Sequence, residues 1–97
     1  MNLFDYAIPQ SDERFDTLLR HKNIRIDRIV SADMLEEKHY IQEEDEWVVL
    51  LEGEAELLID GVRKRLRRGE SLLIPAQTPH QVLQTRRGTL WLAVHIY

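Results

Sequence analysis

The stretch His39–Gly53, "HYIQEEDEWVVLLEG", decides how this chain is read. Its second half, Trp47-Val48-Val49-Leu50-Leu51, is apolar at odd and even positions alike. It follows the acidic run Glu43-Glu44-Asp45-Glu46 and stops at Gly53. So short a run, rich in valine and leucine and ended by glycine, predicts a strand buried on both faces.

Working outward, the same texture recurs. Strands are predicted at Ile24–Val30, Glu37–Gln42, Glu46–Leu51, Ala55–Ile59, Val62–Leu66, Ser71–Ile74, Gln81–Gln84 and Leu90–Tyr97, punctuated by Gly53, Asp60-Gly61, Gly69, Pro75, Pro79 and Gly88. Eight close-spaced strands predict an all-β sandwich or barrel. Asp60-Gly61 is a two-residue hairpin signal, which sets Ile59 against Val62, Leu57 against Lys64 and Ala55 against Leu66. The same register faces Glu56 with Arg65 and Glu54 with Arg67. The basic run Arg63–Arg68, "RKRLRR", thereby gains a structural use in cross-strand charge pairs.

Upstream, Ser11–His21 reads as a short helix. Ser11 is placed to cap it, Asp12 and Glu13 suit its N-terminal end, and Phe15, Leu18 and Leu19 form a stripe. Residues 1–97 are expected to form one domain, with 1–23 as an N-terminal extension carrying the helix and 24–97 as the barrel. Leu90–Ile96, like Trp47–Leu51, is apolar on both faces. One short helix cannot cover both strands, so a homodimer is expected.

Composition excludes several functions. There is no cysteine, so disulfides, thiolate ligands and a cysteine nucleophile are absent. Ser11, Ser31 and Ser71 lack a Gly-x-Ser-x-Gly context, and the four glycines build no phosphate loop. A net charge of −4 argues against nucleic acid as a partner. No basic start leads into a long apolar stretch and no run could span a membrane, so no membrane partner and a cytoplasmic location are expected.

Two segments resemble the paired signatures of the cupin superfamily. The first signature reads G-x5-H-x-H-x3-4-E-x6-G, and here Glu46 and Gly53 match its second half. The second reads G-x5-P-x-G-x2-H-x3-N; Gly69, Pro75 and His80 match, with Gln77 in the glycine place and Gln84 in the asparagine place. The chain is similar to a group of small bacterial single-domain cupins through Tyr40, Gln42, Glu46–Leu51, Gly53 and Trp91–His95. It departs from that group at Ile41 and Gln81. The resemblance implies a cupin-type jelly-roll β-barrel, a double-stranded β-helix, whose interior takes a small-molecule ligand.

The resemblance also implies a divalent metal ion (Zn, Mn, Fe or Ni), yet the first-motif histidines are missing. A three-residue spacer before Glu46 puts their places at Tyr40 and Gln42, and a four-residue spacer puts them at His39 and Ile41. Tyr40 and Gln42 share one strand face, and the group pattern favours that register. The candidate ligands are then Glu46, His80, Gln42 and His95, with Tyr40 in the substrate pocket. His80, His95 and Glu46 would make a two-histidine, one-carboxylate set suited to oxygenase, isomerase or lyase chemistry, provided His95 points inward. Against this stands a metal-free binding or sensing module that has lost catalysis. Each residue also has a plain structural reading: Glu46 as a strand-end acid, His80 as a turn residue, Tyr40 as a core aromatic and His21 as a partner of terminal carbonyls.

Overall fold

A computed structural model describes residues 1–97. The chain forms eight strands and no helix: β1 (Glu13–His21), β2 (Ile24–Ser31), β3 (Asp45–Glu52), β4 (Glu54–Ile59), β5 (Val62–Arg67), β6 (Ser71–Ile74), β7 (His80–Thr85) and β8 (Thr89–Ile96). They make two antiparallel sheets, one in the order β1-β2-β8-β3-β6 and one in the order β5-β4-β7. No ladder joins the two sheets, so the expected closed barrel is instead a jelly roll of two facing sheets.

The doubly apolar strand β3 lies between β8 and β6. Its even residues Glu46, Val48 and Leu50 face the smaller sheet, and Trp47 and Val49 face outward. Gly53, with φ of 94°, then carries the chain from one sheet to the other. A Cβ there would sit 2.8 Å from the Cα of Thr89, so only glycine fits. The core between the sheets gathers Ile29, Val48, Leu50, Ala55, Leu57, Leu66, Ile74, Trp91 and Ala93. Each large side chain fully buried there contributes about 1.5–3 kcal/mol.

The β4–β5 hairpin has the register expected from Asp60-Gly61, from Ile59↔Val62 to Glu54↔Arg67. Of the facing charge pairs, Glu54–Arg67 forms at 3.8 Å, while Arg65 reaches diagonally to Glu54 at 2.8 Å and Arg63 to Glu56 at 3.4 Å.

Two expected elements differ. The predicted helix Ser11–His21 is strand β1, paired with β2 from Glu13↔Ser31 to His21↔Ile24 around the turn Lys22-Asn23. Phe15 and Thr17 face inward, Leu18 is the extra residue of a bulge, and Leu19 pairs with Ile26 on the outer face. An apolar triplet at 15, 18 and 19 fits a helical stripe, but pairing along the open edge of β2, with a bulge at Leu18, overrides that local pattern. The predicted strand Glu37–Gln42 shrinks to a single bridge, Tyr40↔His80. The N-terminal residues lie against the larger sheet, where Arg28 donates to the carbonyls of Leu3 and Asp5 and the Tyr6 hydroxyl donates to that of Gly88.

Strand β2 is inverted in character. Arg25 and Asp27 face the interior, while Ile24 and Ile26 face out. No helix is long and apolar enough to cross a membrane.

Candidate functional site

The inward row Arg25–His95–Glu46–Ile74, one residue from each of β2, β8, β3 and β6, opens into a cavity of about 150 Å³ between the sheets. All five residues singled out from sequence, Tyr40, Gln42, Glu46, His80 and His95, line it. His95 therefore points inward. Glu46, His80 and His95 are each under a tenth exposed. Ile29, Val48, Leu57, Ile74, Val82 and Trp91 supply the apolar wall.

Hydrogen bonds fix the chemistry of each group. His80 Nδ1 lies 2.9 Å from the carbonyl of Thr78. A carbonyl only accepts, so Nδ1 carries the proton and the neutral ring leaves Nε2 as an acceptor. The Tyr40 ring stacks on His80, with centroids 5.5 Å apart and planes at 20°. Burial raises the pKa of the Tyr40 hydroxyl above its ordinary value and keeps it a proton donor. Gln42 donates its amide to Glu46 Oε1 at 2.8 Å. His95 is held between two carboxylates, with Nδ1 at 2.9 Å from Glu44 and Nε2 at 3.6 Å from Asp27. Burial alone would raise the Glu44 carboxyl, but hydrogen bonds from its own backbone, His95 and Tyr97 outweigh it and lower the pKa.

The expected metal set does not form. No three histidine, aspartate or glutamate side chains come together in a group that could hold an ion. Gln42 spends an amide hydrogen on Glu46, and His95 gives Nδ1 to Glu44 while its Nε2 stands 3.6 Å from Asp27, beyond hydrogen-bond distance. The donors as arranged do not fit the four-ligand site that the signatures imply.

Three charged residues of the cavity were not singled out from sequence. Asp27 accepts from Thr17 at 3.0 Å and from Arg25 at 3.1 Å. Arg25 also donates to the Tyr97 hydroxyl at 2.9 Å. Glu13 Oε2 accepts from Ser31 Oγ at 2.5 Å, and Ser31 Oγ in turn accepts from Trp91 Nε1 at 2.9 Å. Desolvation raises the Glu13 carboxyl pKa, against the opposing pull of the Ser31 hydrogen bond. The alternation Ile24-Arg25-Ile26-Asp27 does signal one polar face, but not that this face points inward.

A larger concavity of about 440 Å³ lies at Glu54, Arg65 and Arg86 of the three-stranded sheet. Glu54 pairs with both arginines, at 2.8 and 2.7 Å, so those charges satisfy one another.

Comparison with known proteins agrees with this architecture. The family model of the cupin domain matches residues 31–95. A provisionally named mannose-6-phosphate isomerase from Ralstonia eutropha JMP134 is 34% identical; the match covers 99% of this chain and 95% of that one, with a TM-score of 0.88. A conserved protein of unknown function from Streptococcus pyogenes is 23% identical over 99% of this chain and 84% of its own, with a TM-score of 0.83. An RmlC-like cupin from Shewanella frigidimarina NCIMB 400 is 19% identical over 89% and 77%, with a TM-score of 0.79. No curated protein matches the chain. The sheets, the glycine crossing and the family match agree: this chain belongs to the cupin family.

Proposed function

We propose that this cupin binds a small molecule in the cavity between its sheets without a metal ion. The observation that carries the reading is the state of the would-be ligands. Gln42 stands where the family places a histidine and gives its amide to Glu46, His95 gives Nδ1 to Glu44, and no three histidine, aspartate or glutamate side chains gather to hold an ion. What remains is an array of hydrogen-bonding groups beside an apolar wall, the usual make-up of a ligand pocket.

The name of the Ralstonia relative raises sugar phosphates as an alternative. The cavity's one arginine, Arg25, is tied to Asp27 and Tyr97, and about 150 Å³ suits a guest near the size of benzene. Neither feature favours a sugar phosphate.

The test incubates purified protein with Mn, Fe, Ni and Zn, desalts it and measures retained metal. A thermal-shift screen of small molecules with and without chelator accompanies it. Ligand stabilisation that survives chelator is expected. Stoichiometric metal that is lost in His80→Ala would overturn the reading and restore a metal-dependent enzyme. A cytoplasmic location is proposed separately, and cell fractionation checks it.

We further propose that a second copy covers the outer face of the larger sheet. The register aligns Leu19, Ile26, Val94, Trp47 and Leu73 in one apolar row across all five strands. Leu19, Trp47 and Leu73 are 47%, 39% and 55% exposed. At strand spacing the row extends ~20 Å, and Ile24, Ile96, Leu92 and Val49 widen it on the flanking rows. Charged groups, Asp16, Arg28 and Asp45, stand only at its margins, which is the apolar core and polar rim of a self-association surface. A patch of this extent supplies much of the ~800 Å² per partner of a standard interface. Light scattering should give a dimer that Trp47→Glu converts to monomer, and a wild-type monomer at high concentration would sink the proposal.

A further inference from the structure

We propose that the cavity is a site for a small organic ammonium ion, held by Glu13 and Glu46 against the aromatic faces of Tyr40, Phe15 and Trp91. The inference rests on the metal-free reading of the same cavity and names the class of its ligand.

The hydrogen-bonding capacity left after every internal bond is counted points one way. Glu46 spends one oxygen on Gln42, and Glu13 spends one on Ser31. Their second oxygens have no protein donor and are not sealed in protein, since Arg28 Nε is the only buried polar side-chain atom without a partner. His80, at 8% exposure, turns a free Nε2 acceptor toward the same space. Gln42 Oε1 adds another acceptor, and the donors in the cavity are the Tyr40 hydroxyl, the second amide hydrogen of Gln42 and the N–H groups that Arg25 does not spend on Asp27 and Tyr97. The two unpaired carboxylate oxygens, on Glu46 and Glu13, favour a ligand that brings a charged donor to them.

Charge and shape narrow the class. Glu13, Asp27 and Glu46 face one guanidinium, Arg25, which Asp27 already neutralises. Three aromatic side chains, Phe15, Tyr40 and Trp91, line the cavity with them among aliphatic ones. Carboxylates beside aromatic faces attract ammonium groups through charge and through the ring quadrupole. The volume of about 150 Å³ limits the guest to roughly a benzene-sized body, which choline or ethanolammonium meets.

Glu13 is the part of this site that no motif announces. Its carboxyl is aimed by a buried relay in which Trp91 Nε1–H donates to Ser31 Oγ and Ser31 donates to Glu13. Ser31 is fully buried and Trp91 is 2% exposed, so the relay is locked from behind.

Titration calorimetry on the whole chain tests this, with choline and ethanolammonium as cations, 3,3-dimethylbutan-1-ol as the neutral isostere of choline, and acetate as the anion. Choline should bind at least about tenfold tighter than its isostere. Glu13→Gln, which keeps an acceptor for Ser31, and Glu46→Gln should each erase most of that preference. Equal binding of choline and isostere, tighter binding of acetate, or no saturable binding of either ammonium would overturn the inference. In the first two cases the metal-free pocket would stand. Ammonium binding that appears only with added Ni or Zn would instead overturn the metal-free reading.

Discussion

Removing the Ser31 hydroxyl is the most informative single change. Ser31 Oγ accepts from Trp91 and donates to Glu13, and nothing else in the structure meets the indole N–H. In Ser31→Ala that N–H stays buried without a partner, which costs about 1–3 kcal/mol, and the bond to Glu13 is lost for about another 1 kcal/mol. The sum, ~2–4 kcal/mol, is a large share of the ~5–15 kcal/mol that holds a domain together. For a chain of this length it corresponds to a fall in Tm of roughly 10–25 °C. Urea unfolding of wild type, Ser31→Ala, Trp91→Phe and the double variant provides the assay. Trp91→Phe removes the stranded donor, so the double variant should lose at least about 1 kcal/mol less than the two single losses added. A Ser31→Ala cost under about 0.5 kcal/mol, or strict additivity, would refute the relay and with it the aiming of Glu13.

Three further outcomes are expected. Because burial raises the Glu13 pKa above its unfolded value, the folded state binds the extra proton, and stability should fall as pH rises from the unfolded value through the folded one. The charges acting on Glu13 are Asp12, Lys38 and Glu46, and Glu13→Gln should flatten that slope and be the more stable form at neutral pH, as measured by urea midpoints across pH. Gln42→His, beside Glu46, should let the protein retain Ni or Zn after desalting where wild type does not, as read by elemental analysis. Gly53→Ala drives a Cβ into the Thr89 backbone and should cost more than about 3 kcal/mol, seen as lost soluble yield or a collapsed melting transition.

The sequence is legible where local chemistry decides the outcome. Asp60-Gly61 dictates the β4–β5 register, and the apolar run of β3 announces a strand, although in the single chain only its inner face is buried and Trp47 on the outer face is 39% exposed. The spacing from Glu46 to Gly53 finds the inward carboxylate and the crossing glycine. It is illegible where distant partners decide. Phe15, Leu18 and Leu19 fit the helical period, and it is pairing along the edge of β2, with a bulge at Leu18, that makes the segment a strand. Lys22-Asn23, the two-residue turn that joins β1 to β2, is the local feature that marks the hairpin. Parity placed Gln42 at the site, but whether it would ligate or merely bond to Glu46 depends on side-chain geometry that spacing does not carry. Glu13, Arg25 and Asp27 escaped notice because charged residues on strands are ordinarily solvated.

The inverted polarity of β2 also bears on how this chain can change. Arg25 and Asp27 turn toward the lumen and Ile24 and Ile26 turn away, so the two sides of one ribbon are under opposing selection. A slip of one position would strand charges in grease on one side and wet the other. Drift in the lumen and drift on the outer skin are therefore tied together, because both are written on the same eight residues.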